Sequence, residues 1–222
     1  VIAGVFWALS ETRWLLGEAK GGTTDAGRRK AYLKYGIPIA AALVLDLVLS
    51  AADRFLIALF LGEAAVGEYA AGYGVADKTV LLFCAWAAMA GAPLIMAAYE
   101  DGGPDAAAKE SGGLIRALLF LGIPATTGLA LVATPLSEAM IGESLREGAR
   151  HIIPWIAFAG LLNGLIIHYY SEAFQLAHRT SEQALLMLVP AGTNIALNLV
   201  LIPQFELMGA VIATLVSYGL GI

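Results

Sequence analysis

The chain is short of charge and nearly without cysteine. Asp, Glu, Lys and Arg make up 14% of its 222 residues, against about 25% in an ordinary globular domain. With 59% hydrophobic residues, that shortage excludes a disordered chain and argues against a soluble enzyme domain. The single cysteine, Cys84, has no intrachain disulfide partner, and no Cys/His cluster shows metal-ligand spacing. No cofactor is implied. There is no G-x-x-x-x-G-K-[ST] phosphate loop and no Ser/His/Asp spacing of a hydrolase, so the chain reads as a non-enzyme. The 25 glycines and eight prolines follow no collagen period. A net charge of −5 gives no ground for binding nucleic acid. No charges precede the first apolar run, Val1 to Leu9, and nine apolar residues are too few to cross a bilayer, so it is neither a signal peptide nor a span.

What the chain has instead is apolar length. The mean hydropathy is +0.76. Five long stretches stand out: Ile37 to Leu61, Ala65 to Tyr99, Leu114 to Ile141, Ile152 to Ala177 and Ala184 to Ile202. Each reaches the ~17–25 residues of a transmembrane helix. The alternating polar positions of barrel strands are absent. Backbone groups in lipid must be satisfied internally, so the fold class is all-α, a polytopic transmembrane helix bundle. The runs at the two ends, 1–9 and Leu207 to Ile222, read as transmembrane helices that are cut. The organisation expected is 1–9 as the end of one helix, 10–36 as a basic link, and 37–222 as a bundle whose last helix is truncated.

The links between spans alternate sides of the membrane. One side collects nine Lys/Arg: Arg13, Lys20, Arg28, Arg29, Lys30 and Lys34, then Lys109 and Arg116, then Arg179. The other collects Arg146 and Arg150. The positive-inside rule places the richer side, and with it residues 10–36, in the cytoplasm. Trp14, Tyr32, Tyr35, Tyr99 and Trp155 stand at span ends like an interface belt. Trp86 is mid-span and reads as a packing residue. Pro93, Pro124 and Pro190 fall inside spans and should kink them.

Charges inside the spans carry the functional reading. Ile37 to Leu61 holds Asp46, Asp53 and Arg54. Three central charges cost roughly 8–10 kcal/mol, while the apolar side chains of that span return roughly 4–8 kcal/mol. The span is marginal unless those charges face protein or water. At 100° per residue Asp46, Ser50 and Asp53 share one stripe. The next span adds Asp77 and Lys78. A hairpin folded about Glu63 sets Lys78 about one turn from Asp46 and Asp53. Two readings stand side by side: an ion-pair staple between helices, or the wall of a wet cavity with a site for a coupling cation. Asn163 and His168 add polar groups to the fourth span; His168 and Glu172 are one turn apart and can hydrogen-bond, with His168 a possible proton relay. Asn194 and Asn198 share a face of the fifth span, which interhelical hydrogen bonding accounts for.

Several runs form an ordered set: Gly36-Ile37-Pro38, Asp53-Arg54-Phe55-Leu56-Ile57, Leu61-Gly62-Glu63-Ala64-Ala65-Val66-Gly67-Glu68-Tyr69, Asn194 through Pro203, Gly209 through Thr214, and Ser217-Tyr218. Together they resemble the polysaccharide (O-antigen, Wzx-like) flippases of the MATE-related MOP transporter superfamily. One departure is that the family often has Gly where Glu206 or Leu207 stands. The resemblance implies a two-lobed MATE-like transporter of 12 to 14 helices, with this chain as most of the second lobe and a first lobe elsewhere in the protein. It implies alternating-access transport of an undecaprenyl-diphosphate-linked oligosaccharide across the cytoplasmic (inner) membrane of a prokaryote, with H+ or Na+ as a coupling ion. Asp46, Asp53, Arg54, Asp77, Lys78, Asn163 and His168 are the cavity or ion-coupling candidates. Alternatives within the superfamily are a drug/cation antiporter or a lipid II flippase. A membrane-bound glycan polymerase is disfavoured by the short external links.

Overall fold

The computed structural model describes residues 26–222, without the side chains of Ala26, Arg28, Ala31, Asp46 and residues 48–50. The expectations for residues 1–9 and 10–25 lie outside the described residues. By its contacts the chain divides between Ile37 and Pro38 into two units. Among the described residues the first contributes the opening turns of one helix. The second holds the rest and is described here.

Every element among the described residues is helical: α1 Ala26–Leu61, α2 Glu63–Leu131, α3 Ala133–Met140, α4 Glu143–Leu165, a π-helical segment Ile166–Ser171, α5 Glu172–Leu176 and α6 Thr180–Leu220. Three stretches are long and apolar enough to cross a membrane: Glu63–Leu131, Glu143–Leu176 and Thr180–Leu220. In α1 the apolar stretch Tyr32–Leu45 is shorter and stops before Asp46. A straight helix of 69 residues would run about 104 Å, over three times the hydrocarbon thickness of roughly 30 Å. Gly103 resolves this. Its φ of 72° and ψ of −163° break α2, a conformation glycine adopts without a Cβ penalty. Pro104 then opens the second arm, where its missing N–H costs least. Glu206 breaks α6 in the same way, at φ 52° and ψ −133°. The breaks yield arms 63–102, 104–131, 180–205 and 207–220.

Close approaches fix how the arms run. A Cβ on Gly91 would stand 2.9 Å from Leu114, and one on Gly122 would be 3.8 Å from Cys84. The two arms of α2 are therefore antiparallel about Gly103. Against α4 the numbers rise together: Gly67 faces Leu145, Gly72 faces Ala149 and Ile152, and Asp77 and Val80 face Gly160. The 63–102 arm and α4 are parallel neighbours. The links at Gly62 and Gly142 thus share one end, and the Gly103 break lies at the other. Small residues let these backbones approach closely, as membrane helix packing requires.

The core follows from that contact. Ile152, Ile153, Ile156, Ala157 and Leu161 of α4 pack with Tyr69, Tyr73, Ala76, Val80 and Cys84 of α2, Leu118 of its return arm, and Ile202 and Val211 of α6. Outward lie Phe55, Leu59, Met89, Phe120 and Leu131, all exposed. An apolar exterior over an apolar core is what lipid as solvent permits.

Candidate functional site

Asp53 is the best-enclosed charge in the described chain, with no exposed surface. It enters from α1, one helical turn before Ile57, which is equally buried. The left-handed Gly62, at φ 88°, closes the tight turn that brings α2 back along α1. Tyr69 of α2 donates its hydroxyl to Asp53 Oδ2 at 2.6 Å. Asn198, on the 180–205 arm, donates Nδ2 to Oδ1 at 2.7 Å. Thr214, on the 207–220 arm, stands 2.9 Å from Oδ2. Its hydroxyl has the same 2.9 Å separation from the Ala210 carbonyl, so one proton serves two acceptors. Asn194, one turn before Asn198, accepts from it at 3.0 Å. Four helical segments thus converge on one carboxylate, and the three donors are neutral.

Aromatic side chains extend the network outward from α2. The rings of Tyr69 and Tyr73 meet tilted, centroids 5.6 Å apart, and the Tyr73 and Tyr218 hydroxyls meet at 3.2 Å. The Arg54 guanidinium lies 5.0 Å from the centroid of the Tyr73 ring, within cation–π range. Two buried atoms near the carboxylate have no hydrogen-bond partner, Asn194 Nδ2 and Asn198 Oδ1. Buried polar groups are normally paired; Asn194 Nδ2 is a spare donor and Asn198 Oδ1 a spare acceptor.

The other candidates divide. The hairpin about Glu63 predicts Lys78 near Asp46 and Asp53; the Asp46 side chain lies outside the described residues, and Lys78 makes no ion pair with Asp53. It lies 3.6 Å from its own neighbour, Asp77 Oδ2. The correction comes from register: the turn sets Tyr69 opposite Asp53 and Tyr73 opposite Arg54. Asp77 is 2% exposed, whereas the Lys78 side chain is 76% exposed. Asn163 is buried on α4, within hydrogen-bonding reach of Asp77. His168 lies in the π-helical segment, its Nδ1 3.9 Å from Glu172 Oε1, apart from both aspartates in the pattern of contacts. Asp46 belongs to α1, but its side chain lies outside the described residues. Trp86, read as a packing residue, is half exposed and meets Phe83 edge-on at 5.2 Å.

Sequence reasoning missed Tyr69, Tyr73, Thr214 and Tyr218. The available signal was the i, i+4 recurrence of polar residues on one helix face, 69/73 and 214/218, in otherwise apolar segments. Asn194 and Asn198 were read as interhelical hydrogen bonders, which Asn198 is, but without Asp53 as its acceptor.

A family model described as "Polysaccharide biosynthesis protein" matches residues 8–149, well over half of the chain. The chain belongs to this family. Searches of curated proteins and of solved structures found no match. The polysaccharide biosynthesis match takes in Asp53, Arg54, Tyr69, Asp77 and Lys78, and it ends before Asn163, Asn194, Asn198 and Thr214. With its long apolar helices, this member of the family is a membrane protein. Among the described residues no group of three or more His, Cys, Asp or Glu side chains could hold a metal ion. The Asp53 cluster offers a different set of ligand atoms: one carboxylate, the amide oxygens of Asn194 and Asn198, and the hydroxyls of Tyr69 and Thr214. All are oxygens, the ligands that hard cations take.

Proposed function

We propose that this chain forms part of a flippase that moves a lipid-linked oligosaccharide of the undecaprenyl-diphosphate type across the cytoplasmic membrane of a prokaryote. It acts by alternating access together with a first lobe, as a transporter and not as an enzyme. The observation that carries the reading is the Asp53 cluster. A carboxylate buried in a membrane bundle costs several kcal/mol unless it is functional or well paired. Here it is held by neutral donors from α1, α2 and both arms of α6. Such a site is suited to a coupling cation, Na+ or H+. Because the two α6 arms are separated by the break at Glu206, filling the site ties together segments that can otherwise move apart.

Lys78 and Arg54 supply the complementary charge. A lysine exposed to lipid mid-helix would cost about 2.5–3.5 kcal/mol, so the exposed Lys78 faces a water-filled cavity. There it and Arg54 meet the diphosphate of the substrate, while the lipid tail stays in the bilayer.

The test is complementation of a flippase-null strain by the full-length protein. Arg54→Ala should cut surface polysaccharide by at least about tenfold at unchanged protein level. A fall in protein level in proportion to flux would mean that Arg54 is a structural staple. Residues 1–222 expressed alone should restore nothing; restoration would end the half-transporter reading.

A further inference from the structure

Four arginines near helix ends are engaged within the chain. Arg116 Nε donates to the Gly112 carbonyl at 2.8 Å. Arg146 donates to the carbonyls of Glu138 and Ile141 at 3.1 and 3.3 Å. Arg150 pairs with Glu147 at 2.6 Å, and Arg179 grips both carboxylate oxygens of Glu182. The opening turns of α1 are built differently. Arg28, Arg29, Lys30 and Lys34 fall within seven residues, and no Asp or Glu stands between Ala26 and Leu45. Arg29, Lys30 and Lys34 are exposed. Among the described residues none of these three has an ion-pair partner. Lys30 and Lys34 are one turn apart, a like-charge spacing that destabilises an isolated helix. An anion lying over both removes that cost.

The surface is not purely ionic. Helical register sets Arg29, Leu33, Ile37, Lys30 and Lys34 within an arc of about 140°. Leu33 and Ile37 are exposed among the cations, and Tyr32 is 73% exposed in the same turns. Apolar surface offers a free phosphate nothing, but it suits the boundary between headgroups and acyl chains. The same turns run on into the apolar stretch Tyr32–Leu45, so a partner that reaches the cations also borders lipid. Length agrees. The 36 residues of α1 make about 54 Å of helix, against roughly 30 Å of hydrocarbon. Part of α1 must therefore stand in a headgroup layer, and the charged turns are the part suited to it. We infer that the opening turns of α1 bind anionic phospholipid headgroups, of the phosphatidylglycerol type, in the leaflet at that end of the helix. Each cation held at an anionic lipid surface is worth about fivefold in affinity. The inference requires a membrane protein and does not depend on what the protein transports.

Photoactivatable phosphatidylglycerol and phosphatidylcholine, compared in vesicles carrying the full-length protein, test this by peptide mass mapping. At low salt, adducts on residues 28–37 should favour phosphatidylglycerol by at least about fivefold. Raising salt from about 0.01 M to about 1 M shortens the screening length from about 30 Å to about 3 Å, and the ratio should fall close to one. Equal labelling by the two lipids at low salt overturns the proposal. In a triple variant, Arg29→Gln, Lys30→Gln and Lys34→Gln, the preference should vanish at unchanged protein level, while Lys30→Arg and Lys34→Arg together should keep it. A preference retained by the triple variant overturns the proposal as well. If the triple variant accumulates poorly, the salt series on the wild type decides. Inorganic pyrophosphate at constant ionic strength should leave the labelling unchanged; displacement of the lipid would make these residues a site for free anions. A preference that emerges only after a high-salt wash would give the surface to an acidic protein instead.

Discussion

Asp53 and Asp77 sit in the same bundle, equally hidden from solvent, and are treated in opposite ways. Asp53 has no charged residue among its three donors, yet both its oxygens accept hydrogen bonds. Asp77 has Lys78, Arg54 and the Asn163 amide nearby, yet its Oδ1 makes no hydrogen bond. Burial alone therefore does not describe a membrane carboxylate. The local supply of donors differs between two carboxylates of similar burial.

The same conservative substitution separates the two. Asp53→Asn places an amide N–H₂ against hydroxyl and amide donors. It should cost about 3–5 kcal/mol and abolish flux, since breaking a buried charged network leaves its partners unpaired. Asp77→Asn keeps the side-chain shape beside Asn163 and breaks no hydrogen bond to Oδ1, so it should leave thermal stability nearly unchanged. Melting of both variants in one detergent checks this, and equal losses would erase the contrast. Tyr69→Phe should cost about 1.5–3 kcal/mol, the worth of one hydrogen bond to a charged group. A smaller loss by the same assay would mean that Asn198 and Thr214 suffice to hold Asp53. Gly160→Val should cost about 1–3 kcal/mol by wedging α4 away from Asp77. It should also raise access of water-soluble carbodiimide to that carboxyl; tight exclusion after the substitution would show that α4 does not seal the site. The smallest effect is a gain. Glu206→Gly should add about 1 kcal/mol by removing a positive-φ side chain. Flux should be kept, because the break between the α6 arms is retained; loss of flux would assign the Glu206 carboxylate a role of its own.

How much of this the sequence disclosed depends on what each feature costs in lipid. The helical class was readable because apolar runs of that length have one stable solution in a bilayer; of the five expected spans, Ile37 to Leu61 is not among the three helices long and apolar enough to cross. Asp53, Arg54, Asp77 and Lys78 were readable because charges inside such runs are expensive. Their partners were hidden. Tyr69, Asn198 and Thr214 are ordinary in composition, and only the placement of three helices brings them to one carboxylate. The expected carboxylate within about 4 Å of Lys78 is found, but it is Asp77, because the turn register sets Tyr69, not Lys78, opposite Asp53. The Glu206 break was veiled by the residue itself. A glycine there would have signalled a left-handed backbone, and the resembled family often has one at 206 or 207. The π-helical turn around His168 left no compositional trace, since a widened turn adds a residue without changing polarity.

Cys84 has no exposed surface, and a Cβ on Gly164 would come within 2.5 Å of its sulfur, with Gly122 on the other side. The chain has no other cysteine. A maleimide reagent therefore finds no reactive thiol on the folded wild-type chain. Cysteines introduced singly along the faces of α1 and α2 can be read against a silent background, without first engineering the native sulfur away. The glycine notches that let the helices close over Cys84 make this protein its own control for mapping which side chains water reaches.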